Sequence, residues 1–185
     1  MDKSTLRKEI LKERDGMTDQ AVENLSKTIT EMFLDSDFYK SYDVIYSYVS
    51  YNHEVVTDDI IKRAWKDGKK VAVPKVFGDN MAFCYIESFA DLAPGYNGIM
   101  EPVTEKIAYD DKVLMLTPGL AFDRNFNRIG YGKGFYDKFL DRNICDKFFK
   151  VALCYEFQLV DEIECEEHDE KVQVIITPDE IIENK

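Results

Sequence analysis

VLMLTPGLAFDRNFNRIGYGKGFYDKFLDR, residues 113–142, carries the pattern on which the reading of this chain turns. Val113, Leu114, Met115 and Leu116 form a short apolar run that predicts a buried strand, stopped by Thr117-Pro118-Gly119. From Gly134 or Phe135 to about Arg142 the spacing predicts a helix. Between strand and helix, Gly130, Gly132 and Gly134 stand at alternate positions, and glycine lets a backbone adopt positive φ and approach a ligand closely. The N–H groups and dipole at the start of the following helix suit an anion. Arg128 and Lys133 flank the glycines with charges able to neutralise phosphate oxygens. The spacing is neither the GxxxxGK[ST] loop nor the GxGxxG dinucleotide turn. Two readings therefore stand on the residues alone: a phosphate cradle, or a structural glycine turn.

Working outward, residues 3–15 and 19–35 read as helices. The second repeats Ala21, Leu25, Ile29, Met32 and Phe33 at helical spacing and has Thr18 as its cap. A further helix fits 57–67, between Thr57 as N-cap and Gly68 as stop. Strands are predicted at 43–49, at 70–73 with Pro74 ending it, and at 81–86, 150–154 and 172–176. Residues 91–111 contain Pro94, Gly95, Gly98 and Pro102 and read mainly as loop. Strands alternating with helices predict an α/β fold, with helices packed on a mostly parallel sheet. No repeat, low-complexity tract or linker divides residues 1–185, so a single domain is expected. Ligands of such sheets sit beyond the carboxyl ends of the strands, which directs attention to the loops after Val49, Leu116 and Ile176.

Composition sets outer limits. The 185 residues are 45% hydrophobic and 32% charged, with nine glycines and five prolines, which excludes collagen-like and disordered chains. Apolar runs are only a few residues long, so a membrane span is not expected. The opening MDKSTLRKEILKERDG lacks the apolar stretch of a signal peptide, and a cytoplasmic location is expected. Net charge is −12, from 24 Lys and Arg against 36 Asp and Glu, which argues against a general nucleic-acid binder. Residues 156–185 hold 11 acids and two bases and so carry nine of those negative charges. Basic clusters before them remain available to a phosphate-bearing ligand. The cysteines at 84, 145, 154 and 165 form no CxxC pair, so idle thiols are expected. With His53 and His168 the only histidines, a structural zinc site is not expected, whereas a hard cation held by carboxylates and substrate oxygens fits. No long exposed apolar helix calls for a partner, which favours a monomer.

The first helix adds a second cationic element. At about 100° per residue, Lys3, Arg7 and Arg14 share one narrow stripe with Ile10. Such cations either snorkel from the margin of a buried face or form a wall aimed into a cleft. Asp137, in the first turn after the glycines, and Asp169, before the final strand, are carboxylates of the kind that bind a phosphate-bridging magnesium. Each alone reads sooner as a cap or surface charge. Glu54 alone reads as a surface residue, although it suits a donor-rich substrate edge, and His168 is a weak signal. Tyr48, Tyr51, Tyr96, Phe122, Tyr131, Phe135 and Tyr136 lie near these loops, either as core or as walls for a flat heteroaromatic ligand.

PGLAFDRNFNRIGYGKGFYD closely resembles the signature of the 5-formyltetrahydrofolate cyclo-ligase (methenyltetrahydrofolate synthetase) family. KSTLRKEILKERDGMT resembles that family's first helix, with its KxxLR element at Lys3, Leu6 and Arg7. YSYVSYNHEVVT resembles its first strand with the following Glu54. YNGIMEP at 96–102 is similar to its Gly-Ile-x-Glu-Pro element, and EEHDEKVQVIITPDEII to its His-Asp strand segment. The resemblance implies a three-layer α/β sandwich and a ligase that turns 5-formyltetrahydrofolate into 5,10-methenyltetrahydrofolate with ATP and Mg2+. ADP and phosphate are released, through a phosphorylated formyl (iminium phosphate) intermediate. It implies ATP binding by Lys3, Ser4, Thr5, Leu6, Arg7 and Arg14 and by Arg128, Ile129, Gly130, Tyr131, Gly132, Lys133, Gly134, Phe135 and Tyr136. Arg128 and Lys133 would act on the transferring phosphoryl, Asp137 and Asp169 would hold magnesium, and Val49, Glu54, Tyr96, Tyr131 and Phe135 would meet the folate. Two departures stand out: Gln173 occupies a position where the family commonly has aspartate, and Tyr96 one where many members have tryptophan. The competing readings are another enzyme on a similar fold, such as a sugar-phosphate isomerase, and a catalytically silent folate or nucleotide binder.

Overall fold

The structure is a computed structural model and describes residues 2–143, 145–166 and 169–184. In chain order its elements are α1 (Lys3–Asp15), α2 (Asp19–Asp35), α3 (Asp37–Ser41), β1 (Val44–Tyr46), α4 (Asp58–Lys66), β2 (Lys70–Phe77) and β3 (Asn80–Tyr85). Then come β4 (Leu92–Pro94), β5 (Met100–Pro102), β6 (Val113–Leu116), β7 (Ala121–Asp123), β8 (Arg128–Ile129) and α5 (Phe135–Arg142). Last are β9 (Phe148–Leu153), β10 (Leu159–Val160), β11 (Val174–Ile176) and β12 (Ile181–Glu183). Local chemistry sets the helix starts. Asp2 accepts from the Ser4 and Thr5 N–H groups, and Thr18 from Ala21 N–H, so orphan donors of the first turn are satisfied. Gly134 enters α5 at φ 68°, a left-handed conformation that favours glycine.

Seven strands form the main sheet in the order β12-β11-β9-β6-β1-β2-β3. The five from β11 to β2 run parallel, and the edges β12 and β3 are antiparallel. Strand parity divides the core. Ile45, Val71, Val73, Leu114, Leu116, Val151, Leu153, Val174 and Ile176 face one way and pack against Ile29 and Phe33 of α2, Tyr39 of α3 and Ile60, Ile61 and Ala64 of α4. Val44, Tyr46, Ala72, Val113 and Met115 face the other way, towards Leu140 and the aromatics of α5. Each fully buried Leu or Ile in these layers contributes about 1.5–3 kcal/mol. The three-layer α/β sandwich is thus present, with one refinement on the second face. Beside α5, that face is covered by a small sheet, β10-β7-β8, whose Phe122 packs with Phe126, Ala152, Cys154 and Ile175. On top of the small sheet lies α1, with Leu6 and Ile10 against Leu120, Ala121, Ile129 and Ile163. No helix among the described residues is long and apolar enough to cross a membrane.

Five sequence expectations need correction. Pro74 does not end β2. The Ala72 carbonyl accepts from Ser47 N–H, so by alternation Pro74 faces the edge that β1 has already left, and no ladder bond misses its N–H. Residues 91–111 hold the hairpin β4–β5 as well as loop; its prolines lie at strand ends, where propensity gives no strand signal. β1 is shorter than 43–49, because past Tyr46 the chain turns away towards Thr57. That threonine does not cap α4 with its side chain: its hydroxyl donates to Tyr48 O instead, at 2.8 Å. Finally, β7 and β8 occupy what reads as open loop after Leu116, pairing only over Ala121–Ile129 and Phe122–Arg128.

Candidate active site

Parallel strands place their carboxyl ends on one edge of the sheet, so the segments after β1, β6 and β9 emerge together. After β6, the β7–β8 hairpin is closed by Asp123, which is fully buried. Its carboxylate accepts from Asn125 N–H, Asn127 N–H, the Asn127 side-chain amide and Ile163 N–H, all at 2.9–3.0 Å. This pins the turn that delivers Arg128. The Arg128 guanidinium is buried; it donates to Pro118 O at 3.1 Å and to Asp137 Oδ1 at 2.5 Å. Gly130 is needed beside it, since a Cβ there would come 2.9 Å from Arg128 Nη1. Gly132 lies at φ 91°, with Arg7 against it. Lys133 is exposed and makes no hydrogen bond or ion pair among the described residues.

The stripe on α1 turns towards this loop. Arg7 Nε donates to Gly130 O at 2.9 Å, and Lys3 Nζ donates to Asp169 Oδ2 at 2.7 Å, with Glu166 at 3.6 Å. Arg14 is 1% exposed and donates through Nη1 to the Tyr131 hydroxyl at 2.6 Å. All three side chains of the stripe are thus turned to partners within the protein, at Asp169, Gly130 and Tyr131. Lys8 and Lys12 lie exposed on the far side.

Glu54 faces the same place from the loop after β1. One carboxylate oxygen accepts from Tyr131 O–H, and the other from Tyr51 N–H at 2.9 Å. Burial pushes its pKa up, opposed by the Tyr131 hydroxyl, the Tyr51 amide and the Arg14 charge. Tyr48 and Tyr155 brace the loop, donating to Val55 O at 2.9 Å and His53 O at 3.0 Å. His53 Nδ1 lies 3.1 Å from Arg14 O and its Nε2 3.1 Å from Asp19 Oδ1, which makes it a strut between loop and helices. Tyr96 packs edge-on to Phe135, centroids 5.5 Å apart, and half-buried Val49 packs against the neighbouring core.

The structure therefore brings together Arg7, Arg14, Glu54, Arg128, Gly130, Tyr131, Gly132 and Asp137 through direct contacts within and around the glycine loop, and separately pairs Lys3 with Asp169. Other expected residues face elsewhere. The Ser4 and Thr5 amides and the Thr5 hydroxyl are engaged by Asp2, and Leu6 and Ile129 lie in the apolar cluster under α1. The Tyr136 hydroxyl is buried without a partner. Gln173 has a structural place: its side-chain oxygen accepts from Lys150 N–H at 2.7 Å, tying β9 to the chain entering β11. His168 lies outside the described residues. Sequence reasoning missed Asp123 and Tyr155, and had Tyr48 only as core or a ligand wall; an aspartate followed by two asparagines (Asp123, Asn125, Asn127) is a turn signal that would have found the first.

For a magnesium ion the fit is partial. Among the described residues no group of three acidic, cysteine or histidine side chains could hold a metal by itself. Asp137 and Asp169 are each paired with a cation, Arg128 beside the glycine loop and Lys3 on α1. Magnesium uses one or two carboxylates and takes its remaining oxygens from phosphates and water; either aspartate could serve as one such carboxylate on leaving its cation.

Comparison with known proteins agrees with the geometry. The profile of the 5-formyltetrahydrofolate cyclo-ligase family matches residues 1–178. A Schizosaccharomyces pombe protein named a probable 5-formyltetrahydrofolate cyclo-ligase is 35% identical over 147 residues, 71% of this chain and 72% of its own. The Mus musculus 5-formyltetrahydrofolate cyclo-ligase is 30% identical over 170 residues, 83% and 82% of the two chains. The solved Aquifex aeolicus 5,10-methenyltetrahydrofolate synthetase superposes with a TM-score of 0.87 at 29% identity, covering 99% of this chain and 93% of that one. Fold and relatives define a ligase on a three-layer α/β scaffold. Within that class, the chain belongs to the 5-formyltetrahydrofolate cyclo-ligase family.

Proposed function

We propose that this protein cyclises 5-formyltetrahydrofolate to 5,10-methenyltetrahydrofolate, consuming ATP with magnesium and releasing ADP and phosphate. The observation that carries this reading is the meeting of α1 cations, glycine loop and Glu54 at one sheet edge, joined by the Tyr131 hydroxyl. A formamide oxygen is a poor leaving group; phosphorylating it gives an iminium phosphate, and the neighbouring folate nitrogen displaces phosphate as the ring closes. The protein's share of that chemistry is placement and charge. Arg7 and Lys3 line the phosphate side, and exposed Lys133 supplies a cation able to follow the moving phosphoryl. Arg128 shapes the loop through Pro118 O and steadies Asp137, which with Asp169 would hold magnesium, an ion that bridges phosphate oxygens and offsets their charge. Glu54 accepts from the donor edge of the pterin, with Val49, Tyr96, Tyr131 and Phe135 as apolar walls. The chain acts as one unit, as a monomer, in the cytoplasm.

The test is absorbance of the methenyl chromophore, with purified protein, 5-formyltetrahydrofolate and magnesium, with and without ATP. A rise that needs both ATP and magnesium is expected. No rise from folded protein that binds ATP would refute the reading and favour a silent binder. Neutralising Lys3 and Arg7 separates the remaining alternative: a sugar-phosphate isomerase using the glycine loop alone would keep its turnover.

A further inference from the structure

Arg14 is the most enclosed of the α1 cations. It shares the α1 stripe with Lys3 and Arg7, yet its guanidinium is enclosed and points past the glycines to Tyr131. Its Nη1 donates to the Tyr131 hydroxyl at 2.6 Å, its Cζ lies 5.4 Å from the Tyr131 ring centroid, and its Nε has no partner. Among the described residues no carboxylate forms an ion pair with it. Enclosing a lone cation costs several kcal/mol unless something compensates. Here the compensation is the tyrosine ring and the Glu54 charge, one hydroxyl away.

The hydrogen-bond polarity of this chain is fixed. Arginine has only donors, so the Tyr131 oxygen must accept from Arg14, and its single proton is left for Glu54. Tyr51 N–H fixes the second Glu54 oxygen. Each carboxylate oxygen then keeps a lone pair for a ligand, side by side, as two parallel N–H donors require.

We propose that Arg14 is a positioning residue for the folate subsite: acting through the Tyr131 hydroxyl, it holds Glu54 as an oriented anion ready to accept two hydrogen bonds from the substrate's ring. This rests on the reading of Glu54 given above. The groups around Glu54 agree with such a role. The hydroxyls of Tyr48, Tyr131, Tyr136 and Tyr155 approach from the β1 loop, the glycine loop, α5 and the segment after β9, and Arg14 is the cation that lowers the Glu54 pKa against burial. The His53 ring is turned to Arg14 O and Asp19.

Three variants test it: Arg14→Gln, Tyr131→Phe and Glu54→Gln, with circular dichroism to confirm folding. For each, KM for folate and for ATP is measured from pH 5 to 8, and Glu54 is titrated in the ligand-free protein by carboxyl 13C NMR. Arg14→Gln is expected to raise the folate KM about tenfold, the worth of one charge-assisted hydrogen bond, with the ATP KM unchanged. Its Glu54 titration and the acid limb of folate KM should move up by about one pH unit. Arg14→Lys should restore the titration. Tyr131→Phe, at a 44% exposed residue, should repeat the folate effect and carries the test if Arg14→Gln does not fold. A rise in ATP KM with unchanged folate KM, or an unmoved Glu54 titration, would overturn the proposal. An unchanged folate KM in Glu54→Gln would instead remove the subsite reading on which it stands.

Discussion

Replacing Asp123 by alanine tests whether a carboxylate bonded wholly within the protein governs this site. The carboxylate is fully buried and accepts four hydrogen bonds. Asn125 is exposed, so its amide can turn to water. The other three donors, Asn127 N–H, the Asn127 side-chain amide and Ile163 N–H, would be left enclosed. At about 1–3 kcal/mol for each unsatisfied buried group, and less for a side-chain amide free to turn, the loss comes to about 4 kcal/mol. That is a large part of the 5–15 kcal/mol on which a typical domain rests. For a chain of this length it means a Tm lower by about 10 °C and a urea midpoint lower by about 2 M. The assay is urea unfolding followed by fluorescence of the single tryptophan, Trp65, half-buried against Phe89. Asp123→Asn keeps one acceptor oxygen and should lose about half as much. Because the hairpin delivers Arg128, the ATP KM should rise in both variants. A loss below about 1 kcal/mol for the alanine variant would refute the reasoning, since it would mean that the hairpin holds its shape by packing alone.

Gly132→Ala must place alanine at φ 91° with its methyl 3.8 Å from the Arg7 guanidinium; about 1–3 kcal/mol of strain and a severalfold rise in ATP KM are expected. Gly134→Ala at φ 68° meets nothing within 4 Å, so it should show similar strain in a melting curve with a smaller change in ATP KM. Lys133→Ala should leave Tm unchanged while kcat falls about a hundredfold, whereas Arg128→Ala, which leaves Pro118 O and Asp137 unpaired, should lose about 3 kcal/mol of stability as well. Burial raises the Glu54 pKa above its ordinary 4.5, so the folded state binds that proton more tightly than the unfolded chain. The stability this group contributes is full below pH 4.5 and declines as pH rises through the folded value. Glu54→Gln should therefore match the parent's Tm at acid pH and exceed it at pH 7.5; equal values at pH 7.5 would contradict the burial assignment.

Elements built from local signals were legible without a structure. Residues 3–15 read as the helix that α1 is, the bounds of α2 follow from Thr18 and the apolar period, and Val113–Leu116 from an unbroken apolar run before a proline and a glycine. The glycine loop and the α1 stripe were legible as candidates for anion binding, because residue type and spacing limit what such segments can bind. Other features depend on contacts between distant segments. Pro74 lies inside β2 because β1 stops one strand away. Asp123 belongs to the site because Asn127 and Ile163 converge on it. Glu54 reads as a surface residue until Tyr131, 77 positions away, donates to it. Sequence thus determined which segments fold and which charges the molecule owns, since periodicity, caps and composition are local properties. Tertiary structure alone decided which charges meet: Lys3 with Asp169, Arg128 with Asp137, and Arg14 with Glu54 through one hydroxyl. The physical reason is that parallel strands bring their carboxyl ends to one edge whatever the chain length between them, and only there does burial make each pairing matter.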